Sequence, residues 1–342
     1  MKKVTPITSR KTDHIRINLN EDVQSHLSTG LERYRFLHRA LPEINLEDID
    51  LGLTLFGKRL KAPLLISSMT GGTPEAQKIN QILAQAAQET QIAIGVGSMR
   101  AAIEHPDLAP SFQIRQYAPD VLLFANLGAI QLNYGYGIKE CLRAVEMIEA
   151  DALILHFNAL QEAVQLEGDT RFGGLLAKVE TICRAIPVPV IAKEVGWGFS
   201  EKDVIGLANA GVAAIDVAGA GGTSWSQVEA YRSTDEDHRQ LAAAFINWGI
   251  PTADAIQIAH THVPNLVLFA SGGLRSGLDI AKCIALGADL GGMASPFLKA
   301  ATQSLEKTIK MIEITQQEIQ ICMFAAGIGN LNQLKNYKLR YS

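Results

Sequence analysis

Eight short, unbroken apolar runs recur along the chain, at Pro63–Ile66, Ile92–Val96, Val121–Ala125, Ala152–Leu155, Val188–Ala192, Ala213–Val217, Val267–Ala270 and Asp289–Met293. Their starts are separated by 29, 29, 31, 36, 25, 54 and 22 residues. A strand with one wet face alternates apolar and polar residues, whereas an unbroken run fits a parallel strand covered on both faces. Helical periodicity follows most of the runs. Across Glu75–Thr90 it puts Ile79, Ile82, Leu83 and Ala86 on one face behind Pro74. Ile138–Glu149 repeats the pattern, as does Glu201–Ala210 behind an N-cap Ser200. Strand then helix, eight times within 342 residues, predicts an α/β fold of the TIM (β/α)8 barrel type. A doubly wound open sheet is the alternative, but no G-x-G-x-x-G follows the first run. The 54-residue interval predicts an insertion between strands six and seven, Ser224–His262, charged in YRSTDEDHRQ. Residues 1–60 read as a polar N-terminal arm with small helices, and 61–342 as the barrel, a single domain overall.

Composition removes several function classes. With 47% hydrophobic and 19% charged residues the chain is globular, and a net charge of −4 speaks against a nucleic-acid binder. No apolar stretch approaches the roughly 18 residues of a membrane span; the longest lies around Ile321–Ile328. The start, MKKVTPITSRKTDH, has no apolar segment behind its lysines, so a cytoplasmic protein with no membrane partner is expected. Cys141, Cys183, Cys283 and Cys322 are far apart and read as reduced, buried small hydrophobes.

In such a barrel the chemistry gathers where strands end. The successive strand ends carry SSMTGGT (67–73), GSMR (97–100), NLGA from Asn126, HFNALQE (156–162), Lys193–Glu194, GAGGTSW (219–225), SGGLRSG (271–277) and ASPF from Ala294. Three adjacent Gly-rich turns with Thr223, Arg275 and Ser295 offer backbone N–H groups suited to phosphate. One such turn would be an ordinary connection; three in register predict a phosphorylated cofactor. Lys193 ends an apolar strand. It reads either as a snorkelling surface lysine or as a charge beneath an electron-accepting ring, with Asn126 and Ser98 alongside. That makes FMN the candidate, its phosphate on strands seven and eight.

Arg100, His156 and Asn158 suggest a second anionic site. Arg10 and Lys11 would join it if the arm folds over the mouth, although composition alone favours a solvated basic tail. Glu162 is either a dipole-favoured acid in a solvated first helical turn or a Mg²⁺ ligand, since Mg²⁺ pairs one or two carboxylates with substrate phosphates. His260 and His262 read as helix-end or surface residues rather than a metal pair. No hydrolase or kinase motif is present.

Together, RKTDHI (10–15), FLHRALPEI (36–44), SMTGGT (68–73), GVGSMR (95–100), HFNALQE (156–162), KEVGWG (193–198), DVAGAGGTSW (216–225) and SGGLRSG (271–277) resemble the type 2 isopentenyl-diphosphate isomerases, in order from about residue 10 to 300. The resemblance implies an FMN-dependent TIM barrel that is active with reduced flavin, NADPH as reductant and Mg²⁺. Its partner would be a small diphosphate substrate, and it would assemble as a homotetramer or homo-octamer. By motif, Ser68, Met69, Thr70, Gly71, Ser98, Asn126, Lys193 and Thr223 would line the flavin. Gly272, Gly273, Arg275, Ala294 and Ser295 would hold its phosphate. The substrate would fall to Arg10, Lys11, Ser98, Met99, Arg100, His156, Asn158 and Gln161, and Mg²⁺ to Glu162. Ala218 stands where several relatives carry serine beside the flavin.

Gln161, Lys193 and His156 are the implied catalytic residues, Gln161 orienting the alkene. Shifting a double bond adds a proton at one carbon and removes another nearby, and no cysteine or carboxylate pair at the strand ends is placed to do both. An electron-rich reduced flavin fills that gap. Two other readings stand beside it. An FMN-dependent 2-hydroxy-acid oxidase or dehydrogenase would need a histidine and arginines near strand seven, and a phosphate-sensing scaffold would carry no flavin.

Overall fold

A computed structural model describes residues 7–341; the basic start at residues 1–6 lies outside them. Eight parallel strands close into a barrel: β1 (Leu64–Ile66), β2 (Ala93–Gly95), β3 (Leu123–Gly128), β4 (Ala152–Phe157), β5 (Val190–Glu194), β6 (Ala214–Asp216), β7 (Val267–Ala270) and β8 (Leu290–Met293). Each pairs with its sequence neighbours, and β8 closes on β1. All eight apolar runs become these strands. Three extend beyond their runs, so Asn126, His156 and Lys193–Glu194 belong to strands rather than to the loops after them.

Strand alternation determines what faces inward. The barrel interior is filled by Leu65, Ala93, Phe124, Ala152, Ile154, Ile191, Ala214, Phe269 and Leu290. Phe124 and Phe269 stack across it with centroids 6.0 Å apart. The hairpin Leu53–Leu55/Lys58–Leu60 plugs the N-terminal end, its Phe56 ring 6.5 Å from both phenylalanines. Residues of the opposite parity, such as Leu64, Ile66, Leu123 and Ala125, join the larger core beneath the helices.

The helical shell follows its capping signals. Pro74–Thr90 starts behind Thr73, whose side chain accepts from the Ala76 N–H. Glu201–Asn209 has the capping box of Ser200 and Asp203. The insertion is shorter than expected, because Thr252–His262 is the ordinary helix between β6 and β7. The extra material is two helices, α2 (Trp225–Arg232) and α3 (Glu236–Ala243). The apolar run at Ile321–Ile328 ends a 22-residue helix, Leu305–Ala326, which packs on Pro74–Thr90 and Gly277–Ala285. No helix among the described residues is long and apolar enough to cross a membrane. All four cysteines are free; Cys141 and Cys283 are buried, but Cys183 and Cys322 are only half-buried.

The arm does not trail into solvent. Helix α1 (Ile7–Asn20) crosses the barrel mouth, with Ile17 buried against Val23, Val228 and Trp225. The segment after it is tied down by Ser25 N–H to Gly222 O (2.8 Å) and Ser224 N–H to Val23 O (2.7 Å).

Candidate functional site

One inward layer above the apolar interior is polar. Two residues beyond Phe124, Ile154, Ile191, Ala214 and Phe269 stand Asn126, His156, Lys193, Asp216 and Ser271. Strand register sets His156 beside Lys193 and Lys193 beside Asp216. The layer floors a cleft of about 910 Å³ at the C-terminal ends of the strands, roofed by α1 and α2.

Lys193 is buried rather than snorkelling, and it has a core partner: its Nζ lies 3.1 Å from Asp216 Oδ2. It also donates to Glu194 O (3.0 Å) and Ser271 Oγ (3.3 Å). Asp216, 1% exposed, accepts in addition from Ser271 Oγ at 2.6 Å. Glu194 turns away from the cleft, where one carboxylate oxygen accepts the N–H groups of Val195, Gly196, Trp197 and Gly198 at 2.6–3.1 Å. It ties the turn that carries Lys193.

On β4, His156 Nδ1 is 2.8 Å from Asn126 Oδ1. Loss of water around the ring, then the Lys193 and Lys11 charges, push its pKa down to about 4. The imidazole is therefore neutral at working pH. An unfolded histidine protonates near pH 6.5, so this half-buried, neutral ring contributes stability that is present above pH 6.5 and lost as pH falls toward 4. The apoprotein should thus lose of order 2 kcal/mol between those limits through this group. Denaturant unfolding at pH 7.5 and pH 5 checks this: His156→Asn should show the smaller drop, and an equal drop in both proteins refutes the placement.

Glu162 is not the solvated helix-start acid; it is buried. Its Oε1 accepts from Asn158 Nδ2 (2.8 Å) and its Oε2 from the Asp169 N–H (2.7 Å). Burial, and less strongly the Asp169 charge, raise its carboxyl above the ordinary range although both hydrogen bonds oppose this. Asn158 Oδ1 beside it is buried with no protein partner among the described residues. No group of three or more His, Cys, Asp or Glu among them is arranged to hold a metal ion by itself. One carboxylate with an amide oxygen suits a hard cation that draws its other ligands from substrate and water.

Arg10 and Lys11 line the cleft instead of forming a solvated tail. Lys11 Nζ donates to Ser98 O (2.8 Å) and lies 4.8 Å from the Phe112 ring centre. Burial and the neighbouring Arg10 push its ammonium down to about 7, so an arriving anion would restore its charge. Arg100 closes the same end through Glu104 Oε1 (2.8 Å) and Asp169 Oδ2 (2.9 Å).

At the opposite end the β6 and β7 loops meet backbone to backbone. Gly272 and Gly273 have φ of 101° and 76°, and a Cβ on either would lie within 2.4 Å of Gly219 O or Gly221 O. Only glycine fits there. Arg275 is held at the rim by Gln24 and lines the cleft with Ala294 and Ser295. Thr223 does so too, donating to Asn18 Oδ1 at 3.3 Å. Just after β1, Ser67 Oγ and Ser68 Oγ are buried with no partner among the described residues. An orphaned pair of hydroxyls beside a Gly-lined cradle fits a polar planar ring with a phosphate tail.

Of the nominated residues, Gly71 and Met99 do not line the cleft. A Cβ on Gly71 would meet the Phe112 ring at 1.9 Å, so it packs the loop from behind, and Met99 is fully buried in the core. Ala218 adopts a positive φ of 36° at the lining. His262 pairs with Glu201 at 3.5 Å and His260 packs below Gly287, the helix-end roles expected of them.

Two functional neighbours escaped the sequence reading. Gln161 Nε2 donates to Glu229 Oε1 (3.1 Å) while its Oε1 accepts from Asn158 (3.2 Å). Burial would raise the Glu229 carboxyl, but the hydrogen bond from His14 (3.2 Å) and the Arg232 guanidinium outweigh it and hold the pKa near 2. Glu229 lies within the insertion, where no motif marks it, and His14 lies within RKTDHI (10–15), which assigns it no role.

The FMN-dependent dehydrogenase family matches residues 18–110 and 157–341. Isopentenyl-diphosphate delta-isomerases from Nostoc sp., Synechocystis sp. and Rickettsia bellii are 57%, 54% and 49% identical to the chain. The three alignments cover 96–97% of this chain and 94–97% of each relative. Among solved structures a mandelate oxidase superposes with TM-score 0.69 at 15% identity, covering 99% of both chains. A lactate oxidase from Pediococcus acidilactici superposes with TM-score 0.67 at 17% identity, covering 96% of this chain and 86% of its own. These two likenesses concern the fold. Sequence identity over nearly the whole length decides the finer assignment: the chain belongs to the isopentenyl-diphosphate delta-isomerases, built on the barrel of the FMN-dependent dehydrogenases.

Proposed function

We propose that the chain interconverts isopentenyl and dimethylallyl diphosphate, with reduced FMN and Mg²⁺ bound at the barrel mouth and NADPH as the reductant. One observation carries this beyond kinship: a single cleft has two separate anion-receiving ends. Gly272, Gly273, Arg275, Ala294 and Ser295 suit a cofactor phosphate, and Arg10, Lys11, Arg100, His156 and Asn158 suit a second anion. A 2-hydroxy-acid oxidase would place a histidine with arginines near β7. Here Arg275 is turned to Gln24, and the cleft histidine on the strands is His156 of β4, bonded to Asn126.

Ser68, Met69, Thr70, Asn126, Lys193 and Thr223 would hold the isoalloxazine. When bound, reduced FMN supplies an electron-rich ring and an exchangeable proton. The Lys193 ammonium, anchored by Asp216, places positive charge at the floor where a ring anion would be stabilised. Gln161 does not titrate, and its amide is gripped from both sides, so it orients the alkene rather than carrying the proton. Glu162 would hold Mg²⁺ against the diphosphate, neutralising charge and fixing position. Helix α1 contributes Arg10, Lys11, His14, Ile15 and Asn18 to the cleft lining, so it would border the bound substrate.

Cytoplasmic location and assembly as a homotetramer or homo-octamer belong to the same proposal; light scattering reads the assembly. The direct experiment incubates purified, yellow protein with isopentenyl diphosphate and Mg²⁺. Dimethylallyl diphosphate should form with dithionite-reduced FMN and not with oxidised FMN. A colourless protein that takes up no FMN contradicts the reading.

A further inference from the structure

Asp169 does not line the cleft, yet it bonds three residues that do. Its Oδ2 accepts from Arg100 Nη1 (2.9 Å) and Gln131 Nε2 (3.0 Å), and its backbone N–H donates to Glu162 Oε2 (2.7 Å). One residue thus joins the arginine at the anion end to the carboxylate at the cation end.

The loop that carries it is tightly built. At Gly168 a Cβ would fall 1.8 Å from Glu162 O, so the chain folds directly back on the helix Ala159–Val164. Further on, Asn133 Nδ2 donates to Gly173 O (3.1 Å) and also to Arg171 O, and the Arg171 guanidinium sits 5.3 Å from the Tyr134 ring centre. Asp169 has a side-chain exposure of 17%, shielded enough for its ion pair to hold a geometry. Arg100 is gripped by two carboxylates, Glu104 through Nε and Asp169 through Nη1. A guanidinium has five donors in a fixed fork, so this grip sets its plane while other N–H groups stay available to an anion.

We infer that Asp169 is a positioning residue that fixes Arg100 relative to Glu162 and so tunes the site to a diphosphate carrying a divalent cation. This rests on the proposed function, because it assumes that Arg100 and Glu162 meet one ligand. Through Arg100 it acts on the anion, with Gln131 steadying the carboxylate that grips the arginine, and through its backbone it acts on the Glu162 carboxylate. A monophosphate would span only one of the two groups.

The test uses the FMN-loaded full chain and inorganic pyrophosphate as probe, titrated calorimetrically with and without Mg²⁺. D169N keeps the backbone donor and the shape but removes the charge that grips Arg100. Pyrophosphate affinity in Mg²⁺ should fall about tenfold, on the scale of positioning effects. KM for isopentenyl diphosphate should rise by a similar factor, kcat should stay within about threefold, and FMN affinity and melting temperature should be unchanged. The loss should be absent when D169N is added to R100K, because the arginine through which it acts is already displaced. A D169N protein that binds Mg²⁺–pyrophosphate like the wild type overturns the inference. So does a loss that adds fully to that of R100K or that tracks a fall in melting temperature. Wild-type protein that neither binds pyrophosphate nor isomerises the substrate refutes the proposed function instead.

Discussion

Lys193→Ala should cost the protein both stability and flavin. Asp216, 1% exposed, would keep, among the described residues, only Ser271 Oγ and the Ala218 N–H as partners for its charge. Breaking a buried ion pair by deleting one partner costs about 3–5 kcal/mol, which urea denaturation reads directly. From the sequence alone, a lysine ending an apolar strand suggests damage to the flavin with little damage to the fold; the Asp216 pair changes that expectation. Adding Asp216→Asn removes the stranded charge and should recover most of the stability, while FMN affinity stays low because the cation at the cleft floor is still missing. If the double variant binds FMN like the wild type, Lys193 serves only the barrel.

Glu162→Gln should lower apparent Mg²⁺ affinity and kcat/KM together, by tenfold or more on the scale of positioning effects. FMN affinity should hold, since the phosphate cradle at Gly272 and Gly273 lies at the other end of the cleft. Burial raises the Glu162 carboxyl, which adds a pH signature. An acid whose pKa is raised is more readily protonated, so wild-type Mg²⁺ affinity should weaken as pH falls, and cation binding should release protons. The glutamine variant should lack that slope. A variant with normal Mg²⁺ dependence would make Glu162 an internal brace for Asn158 and the Asp169 loop.

Much of the barrel was legible because a strand buried on both faces must be apolar throughout, and the eight runs satisfy this. The ends of β3, β4 and β5 were not, because an inward polar residue looks like the start of a loop. Parity was the signal available: Asn126, His156, Lys193 and Asp216 each stand two positions past an inward apolar residue. It marks them as inward, but which of them pair is set by the register between strands, which puts Lys193 beside Asp216. In the roof, Arg10 and Lys11 were marked by motif, but the His14–Glu229 contact was not, because sequence spacing carries no information on contacts spanning more than 200 residues. Gly71 and Met99 were placed by motif alone, and motif position carries no signal of their packing against Phe112 and within the core.

In the proposed function, a barrel with the fold of FMN-dependent oxidases performs a redox-neutral reaction. Anaerobic turnover of isopentenyl diphosphate with FMN, Mg²⁺ and limiting NADPH, following NADPH absorbance and dimethylallyl diphosphate together, tests this most directly. Many product molecules per NADPH oxidised are expected, since one reduction of the flavin should serve repeated proton shifts. One NADPH consumed for each product molecule would contradict it and make the protein a true oxidoreductase.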